Sequence, residues 1–308
     1  MRETARVQPR LWRIYRRLDP AALTQPDSPE VDPLGLGSRE GRTQLAWETY
    51  TRRGLEHALR AYGTVERLAQ RGLGPLEIRL DLRDPFVPRV VVETRDARQP
   101  VIDLSMRQIT GQTIGLEPPA DQAPLLFLES LLLQHPERNF DWQRPRLPGQ
   151  ERPGLSLSSE ILQLLLLLAK RVGAEGIALR ASSFHAAWAY ARHFRFLDGA
   201  AQARFEALRQ TPRLRPLWLL AWALELGCVL GDGKKVTWSP EVMVAALDGR
   251  VADAVDTPRR RAALHAVRSV RYAFDLPHLR EAFPWQRMPP PPIPQRIEEL
   301  LRPTRHPV

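Results

Sequence analysis

Apolar positions are spread unevenly along the chain, and the densest stretch runs from Leu125 to Leu197. Leu125 to Gln134 is an almost unbroken apolar run, opened by Pro124 and stopped by His135-Pro136. A continuous run of that length predicts a strand buried on both faces. An insert, Glu137 to Arg152, rich in proline and arginine, separates it from a segment of small residues, Gly154-Leu155-Ser156-Leu157-Ser158-Ser159. That segment is expected to turn tightly into a helix over Ile161 to Arg171, closed by Gly173. Ile177 to Leu179 reads as the next strand, and Phe184 to Phe196 as an aromatic helix and its exit.

Upstream, Leu11, Trp12, Ile14, Tyr15 and Leu18 lie near helical spacing in Arg2 to Leu18, which predicts a basic amphipathic helix able to dock on an anionic surface or on its own domain. Asp19 to Gly41 carries four prolines and three glycines and reads as a connection. Thr43 to Gly72 has helix composition, interrupted near Gly63. Leu76 to Leu82 alternates strictly, the mark of a half-buried strand. A turn at Pro85 to Pro88 leads into strands at Arg89 to Thr94 and Pro100 to Met106.

Downstream, Ala200 to Leu208 continues as helix, and Leu214 to Leu230 reads as a buried packing helix with Trp218 and Trp222 one turn apart in the core. Gly231 to Lys235 is a turn and Val236 to Trp238 a short strand. Pro240 to Leu247 and Pro258 to Phe274 are expected to be helical, and Met288 to Pro294 to form a polyproline II tail.

A small-residue turn between a buried strand and a helix has a chemical use. The first amides of a helix lack intrahelical partners and lie at the positive end of its dipole, so phosphate or pyrophosphate binds there. Ser156, Ser158 and Ser159 add hydroxyls, although Ser158 or Ser159 equally suits a plain N-cap.

In order and in motif, this stretch resembles the core of the GNAT superfamily of N-acetyltransferases, whose Q/R-x-x-G-x-G/A turn holds the pyrophosphate of acetyl-CoA. Gly154-Leu155-Ser156-Leu157-Ser158 takes the place of that turn, with one glycine kept and Pro153 at the Gln/Arg position. Ser183, Ala186 and Tyr190 match the family's later Asn, Ala and Tyr in spacing, with serine for asparagine. The helices and meander ahead of Leu125 follow the same family's amino-terminal order. The insert separates two elements that the family keeps close together.

The resemblance implies a set of roles. The amides of Leu132, Leu133 and Gln134 would hold pantetheine and thioester, and Gly154, Leu155, Ser156, Leu157, Ser158 and Ser159 the pyrophosphate, with Ser183 beside them. Tyr190 would be the acid, since a phenol of pKa about 10 can protonate a leaving thiolate. Glu129 lies near the place of a strand base but one residue further out than usual, so it reaches the right face only through a β-bulge. The bland alternatives are a core tyrosine and an ion-paired glutamate.

Composition narrows the rest. The 308 residues carry a formal charge of +10, and of 45 basic residues only Lys170, Lys234 and Lys235 are lysine. Such a surplus suits CoA phosphates, nucleic acid or an acidic protein, but the arginines are scattered along the sequence and make no single nucleic-acid tract. Cys228 is the only cysteine, compatible with a reducing cytoplasm. The leucine run is too short for a membrane span. His185 and His193 lack metal-pair spacing, and no metal site or nucleotide fingerprint is present.

The reading is an α/β protein: a GNAT-like mixed, mostly antiparallel sheet flanked by helices. It divides into a basic helix and linker (1–42), an acyltransferase-like domain (43–198) and a helical carboxy-terminal extension (199–308). Expected is transfer of an acetyl or other acyl group from CoA to an amine. The alternative is a GNAT-like domain that has lost catalysis and serves in binding or as a scaffold.

Overall fold

The alternating segment at Leu76 forms β1 (Leu76–Asp81), followed by β2 (Arg89–Thr94) and β3 (Pro100–Thr110) in an antiparallel meander. The apolar run forms β4 (Pro124–Leu133), antiparallel to β3 and parallel to β5 (Gly176–Ala181). Parallel neighbours need a crossover, and α5 (Ser158–Arg171) supplies it. With β6 (Arg195–Phe196) and β9 (Glu241–Ala246), the sheet has seven strands in the order β1-β2-β3-β4-β5-β9-β6. The computed structural model describes residues 7–26, 45–210, 216–258, 261–263 and 270–288. Residues 1–6, 27–44 and the proline tail from Pro289 lie outside these, and with them the expectations placed there.

The chain divides into two compact units. The first comprises residues 1–136, 156–179 and 245–252, the second residues 137–155, 180–244 and 253–308. In the first unit, α1 (Pro9–Arg17) lies on α5 through Leu11, which is 1% exposed. The expected connection opens with a short helix, α2 (Pro20–Leu23), capped by the Asp19 carboxylate. α3 (Arg52–Ala61) and α4 (Thr64–Ala69) divide at Gly63, whose φ of 74° lies in the left-handed region that glycine tolerates. α5 is apolar nearly all round, as a helix buried on several sides must be, and Leu162, Leu166 and Ala169 are fully covered. Glu160 in its first turn and Lys170 and Arg171 in its last oppose its dipole favourably.

The second unit is built on aromatic packing. It contains α6 (Phe184–Tyr190), α7 (Gly199–Gln210) and α8 (Leu217–Glu225). Phe184, Phe196, Phe205 and Trp238 stack at centroid distances of 5.4 to 6.4 Å, and Trp238 Nε1 donates to the Ala181 carbonyl at 3.0 Å. Trp222 is core as expected and donates through Nε1 to Arg146 at 2.8 Å, while Trp142 meets Trp218 edge-on. The 137–152 insert therefore spends its tryptophan and a carbonyl on α8.

The carboxy-terminal extension is not wholly helical. Pro240 to Leu247 is not a helix: Glu241–Ala246 is β9, in the large sheet between β5 and β6. The end of the expected Pro258 to Phe274 helix is β10 (Tyr272–Phe274), which joins β7 (Val229–Gly231) and β8 (Lys234–Val236) in a second sheet, order β10-β7-β8. Asp232 and Gly233 turn that hairpin with φ of 48° and 78°, the primed geometry that matches strand twist. The described residues that follow include the helices α9 (Gly249–Val255) and α10 (Leu276–Ala282).

Candidate functional site

The turn before α5 keeps the backbone of a glycine motif without its glycines. Ser156 sits at φ 56°, in the left-handed region, at the position where the resemblance expects the second glycine. Its side chain is exposed, while Leu155 and Leu157 on either side are 2% and 5% exposed and serve the core. Neither Ser158 nor Ser159 is the N-cap. Leu157 holds that place without a side-chain bond, and its carbonyl takes the amides of Glu160 and Ile161 at 3.0 and 2.9 Å. Ser158 and Ser159 are the first two helical residues, half-buried, and Gly154 is half-buried as well. Pro153 brings no amide to the turn.

β4 contains the bulge that Glu129 needs. Ser105 pairs with Ser130 and Met106 with Leu128, so Glu129 is the extra residue. The parallel pairing with β5 covers Leu125 to Leu128 and ends at that bulge. The outer half of β4 is accordingly exposed rather than buried on both faces, with Leu132 38% exposed. Gln134 donates its amide to Val101 at 3.0 Å, which removes it from the expected pantetheine donors. Period-two alternation turns the Leu132 amide towards β3 as well, and leaves the Leu133 amide facing the opposite edge. Glu129 is paired with Arg107, whose guanidinium also lies 5.2 Å from the Phe127 ring centroid.

In the second unit, Ser183 is the N-cap of α6, its Oγ accepting the Ala186 amide at 3.3 Å and lying 3.2 Å from His185 Nε2. A local cap accounts for this serine. Tyr190 ends the helix half-buried, its ring 5.9 Å from Phe194, and its hydroxyl makes no hydrogen bond to a described residue. Burial raises the Tyr190 pKa, so the phenol keeps its proton to higher pH than a free tyrosine. A cavity of about 670 Å³ is lined by Trp188, Arg209, Leu217 and Leu220. Trp188 is two residues from Tyr190, about 200° around a helix, so this cavity lies on another side of α6.

The two histidines of this region are buried bases. Burial pushes His185 down to about 4 from 6.5, and burial, then the charges of Arg192 and Arg195, lower His193. A folded pKa below the unfolded one means that the unfolded chain gains protons first as pH falls. Stability from His185 is complete above about 6.5 and is lost between 6.5 and about 4, and His193 acts in the same direction. His185→Gln should therefore narrow the difference in melting temperature between pH 7.5 and pH 5. An unchanged difference would show that other groups govern the acid limb.

The structure thus brings Ser156, Ser158, Ser159, Glu129 and Leu133 into the first unit, and places Gly154, Leu155, Ser183 and Tyr190 in the second. It also gathers residues that sequence reasoning passed over. Arg67 donates through Nη2 to Glu160 in the first turn of α5, and Arg10 and Arg67 both donate to the Tyr62 carbonyl, at 2.7 and 2.8 Å. Nothing local announces partners 93 residues apart. Among the described residues, no three His, Cys, Asp or Glu side chains gather as a metal site, and no helix is long and apolar enough to cross a membrane. A scan against protein-family models finds no match to this chain, and a search of curated proteins finds no similar sequence.

Proposed function

We propose that this chain is a GNAT-type N-acyltransferase that moves an acyl group, acetyl in the first instance, from CoA to an amine. The observation that carries the reading is the bulge at Glu129, where pairing between β4 and β5 also ends. A strand released from its parallel neighbour offers edge amides to an extended ligand, as β-strand addition does. The left-handed Ser156 supports it, because a backbone conformation that costs a serine about 1 kcal/mol persists where the surrounding structure requires it.

In this reading the amides of Ser156, Ser158 and Ser159 hold the pyrophosphate and the Leu133 amide holds the pantetheine. The CoA thioester supplies the activated acyl carbonyl. Tyr190 keeps its proton through neutral pH and gives it to the departing thiolate. Glu129 acts only if it exchanges Arg107 for the incoming ammonium.

One observation favours the non-catalytic reading. Glu160 puts a carboxylate into the first turn of α5, where the pyrophosphate would lie, and Arg67 is its counter-charge. A single measurement separates the two. A ligand that binds only the folded state stabilises it by about 2.7 kcal/mol at a hundred times its dissociation constant. At roughly 2–4 °C per kcal/mol, acetyl-CoA should raise the melting temperature by several degrees, and desulfo-CoA nearly as much. A flat response to saturating acetyl-CoA and to longer acyl-CoAs would remove the acyltransferase reading and leave the scaffold reading in front.

A further inference from the structure

Four arginines of the first unit are gathered on one short helix, α1. α1 has the sequence Pro-Arg-Leu-Trp-Arg-Ile-Tyr-Arg-Arg, with five apolar or aromatic-facing positions alternating irregularly with four arginines and no acidic residue. Its inward face is fixed by Leu11 and, just past its end, Leu18, which are 1% and 8% exposed. Arg10, Arg13, Arg16 and Arg17 are all exposed. Arg10, Arg13 and Arg17 follow i, i+3, i+7 spacing and so form a stripe, about 10 Å long at 1.5 Å per residue. None of the four guanidiniums has a carboxylate partner among the described residues.

At the start of this stripe the charges are forced together. Arg10 and Arg67 donate to one carbonyl oxygen, that of Tyr62, and the carboxylate of Glu160 answers only Arg67. Two guanidiniums that share a neutral acceptor leave donors and net charge for an anion. Beside the stripe, Trp12 is half-exposed with Lys170 5.8 Å from its ring centroid.

The packing of α1 selects among anionic partners. A helix that lies in a membrane surface must put its apolar face into the lipid. Here Leu11 and Leu18 are spent on the protein's own interior and Trp12, Ile14 and Tyr15 are half-buried, so the fully exposed positions of α1 are its four arginines and Pro9. Phosphodiester backbones need no apolar insertion. One nucleic-acid strand presents a phosphate about every 3.4 Å of axis, so a stripe of about 10 Å faces roughly three of them. We infer that the arginine face of α1, from Arg10 to Arg17, binds the phosphate backbone of nucleic acid without regard to sequence. This surface adjoins the first turn of α5 through Arg67 and Glu160, but the inference does not depend on the acyl-transfer reading.

The test is the salt dependence of binding to a labelled single strand and to a labelled duplex, each in two unrelated sequences. Wild type is compared with Arg10→Gln, Arg13→Gln, Arg16→Gln, Arg17→Gln combined. A charge-matched control carries Arg53→Gln, Arg95→Gln, Arg144→Gln and Arg152→Gln, all at exposed positions. Each phosphate contact contributes about −0.7 to the log–log slope for single strands and about −0.9 for duplex. Loss of about three phosphate contacts should flatten the slope by about 2 for single strands and about 2.7 for duplex, so that between 50 and 200 mM salt the wild type loses roughly twenty- to forty-fold more affinity than the variant. The control should keep most of the wild-type slope. Circular dichroism and the melting temperature show that α1 remains folded; if it does not, Arg13→Glu alone, on the exposed face, serves as the second variant. Absence of binding at low salt overturns the inference, as do equal effects of variant and control. So does binding of anionic phosphatidylserine vesicles, or of free ATP alone, with no binding of the polymer.

Discussion

Gly54→Ala should lower stability by about 3 kcal/mol or more, the largest effect expected from adding one methyl group to this protein. A Cβ at Gly54 would stand 1.8 Å from the Leu23 carbonyl oxygen and 2.5 Å from its carbon. Both are backbone atoms, so no side-chain rotation relieves the overlap. They are also held: Leu23 O accepts the Thr51 amide at 3.1 Å, and Thr51 Oγ1 caps α3 by accepting the Gly54 amide at 2.9 Å. The methyl group would therefore prise α2 from α3 and break the cap together. A fall in melting temperature of roughly 6–12 °C follows from about 3 kcal/mol for a chain of this size. Gly72→Ala is the control. Gly72 has φ 84° and no atom within 4 Å of the added carbon, so only backbone strain of about 1–2 kcal/mol applies. Equal losses for the two variants would show that strain, not the close approach of α2, sets the cost at Gly54.

The elements read most reliably from the sequence are those whose period and context agree. Leu76 to Leu82 alternates and forms a hairpin partner for β2, and the leucine run closed by Gly173 could only be a buried helix. The Glu241–Ala246 segment shows the limit. A short apolar run bounded by proline and Leu-Asp fits either period, and its place in the middle of the large sheet decided for a strand. The burial of β4 departs from the sequence expectation for a related reason. Hydrophobicity identifies a strand, but the end of pairing at Leu128 depends on a bulge that no periodicity encodes. At the turn, the serines looked like caps because serine usually is one. The left-handed Ser156 turns the chain one residue earlier and gives the cap position to Leu157. The meeting of Arg10 and Arg67 on Tyr62 depends on three helices docking, and was legible nowhere in the chain.

Tyr190→Phe should reduce acyl-transfer turnover by about a hundredfold or more while leaving the acetyl-CoA melting shift intact. General acids contribute about 10² to 10⁴ in rate, and removing one that acts only in the transition state lowers kcat with little change in binding. The residue suits a clean measurement. Its hydroxyl has no hydrogen-bond partner among the described residues, so phenylalanine strands no buried donor or acceptor, and its ring contact with Phe194 survives. Stability should change by less than about 1 kcal/mol, within the range of a shape-preserving substitution. The pH dependence carries the second half of the argument. Burial raises the Tyr190 pKa, so the protonated acid persists above the range of an ordinary phenol. The alkaline limb of kcat should accordingly lie above about pH 10 in the wild type and be absent from the residual activity of the variant. Ala187→Gly, one helical turn earlier and fully buried, loosens α6 without touching the phenol and reports what a purely structural disturbance does. If Tyr190→Phe instead loses stability and turnover in the proportion that Ala187→Gly does, Tyr190 is a packing residue and the proton for the thiolate comes from elsewhere.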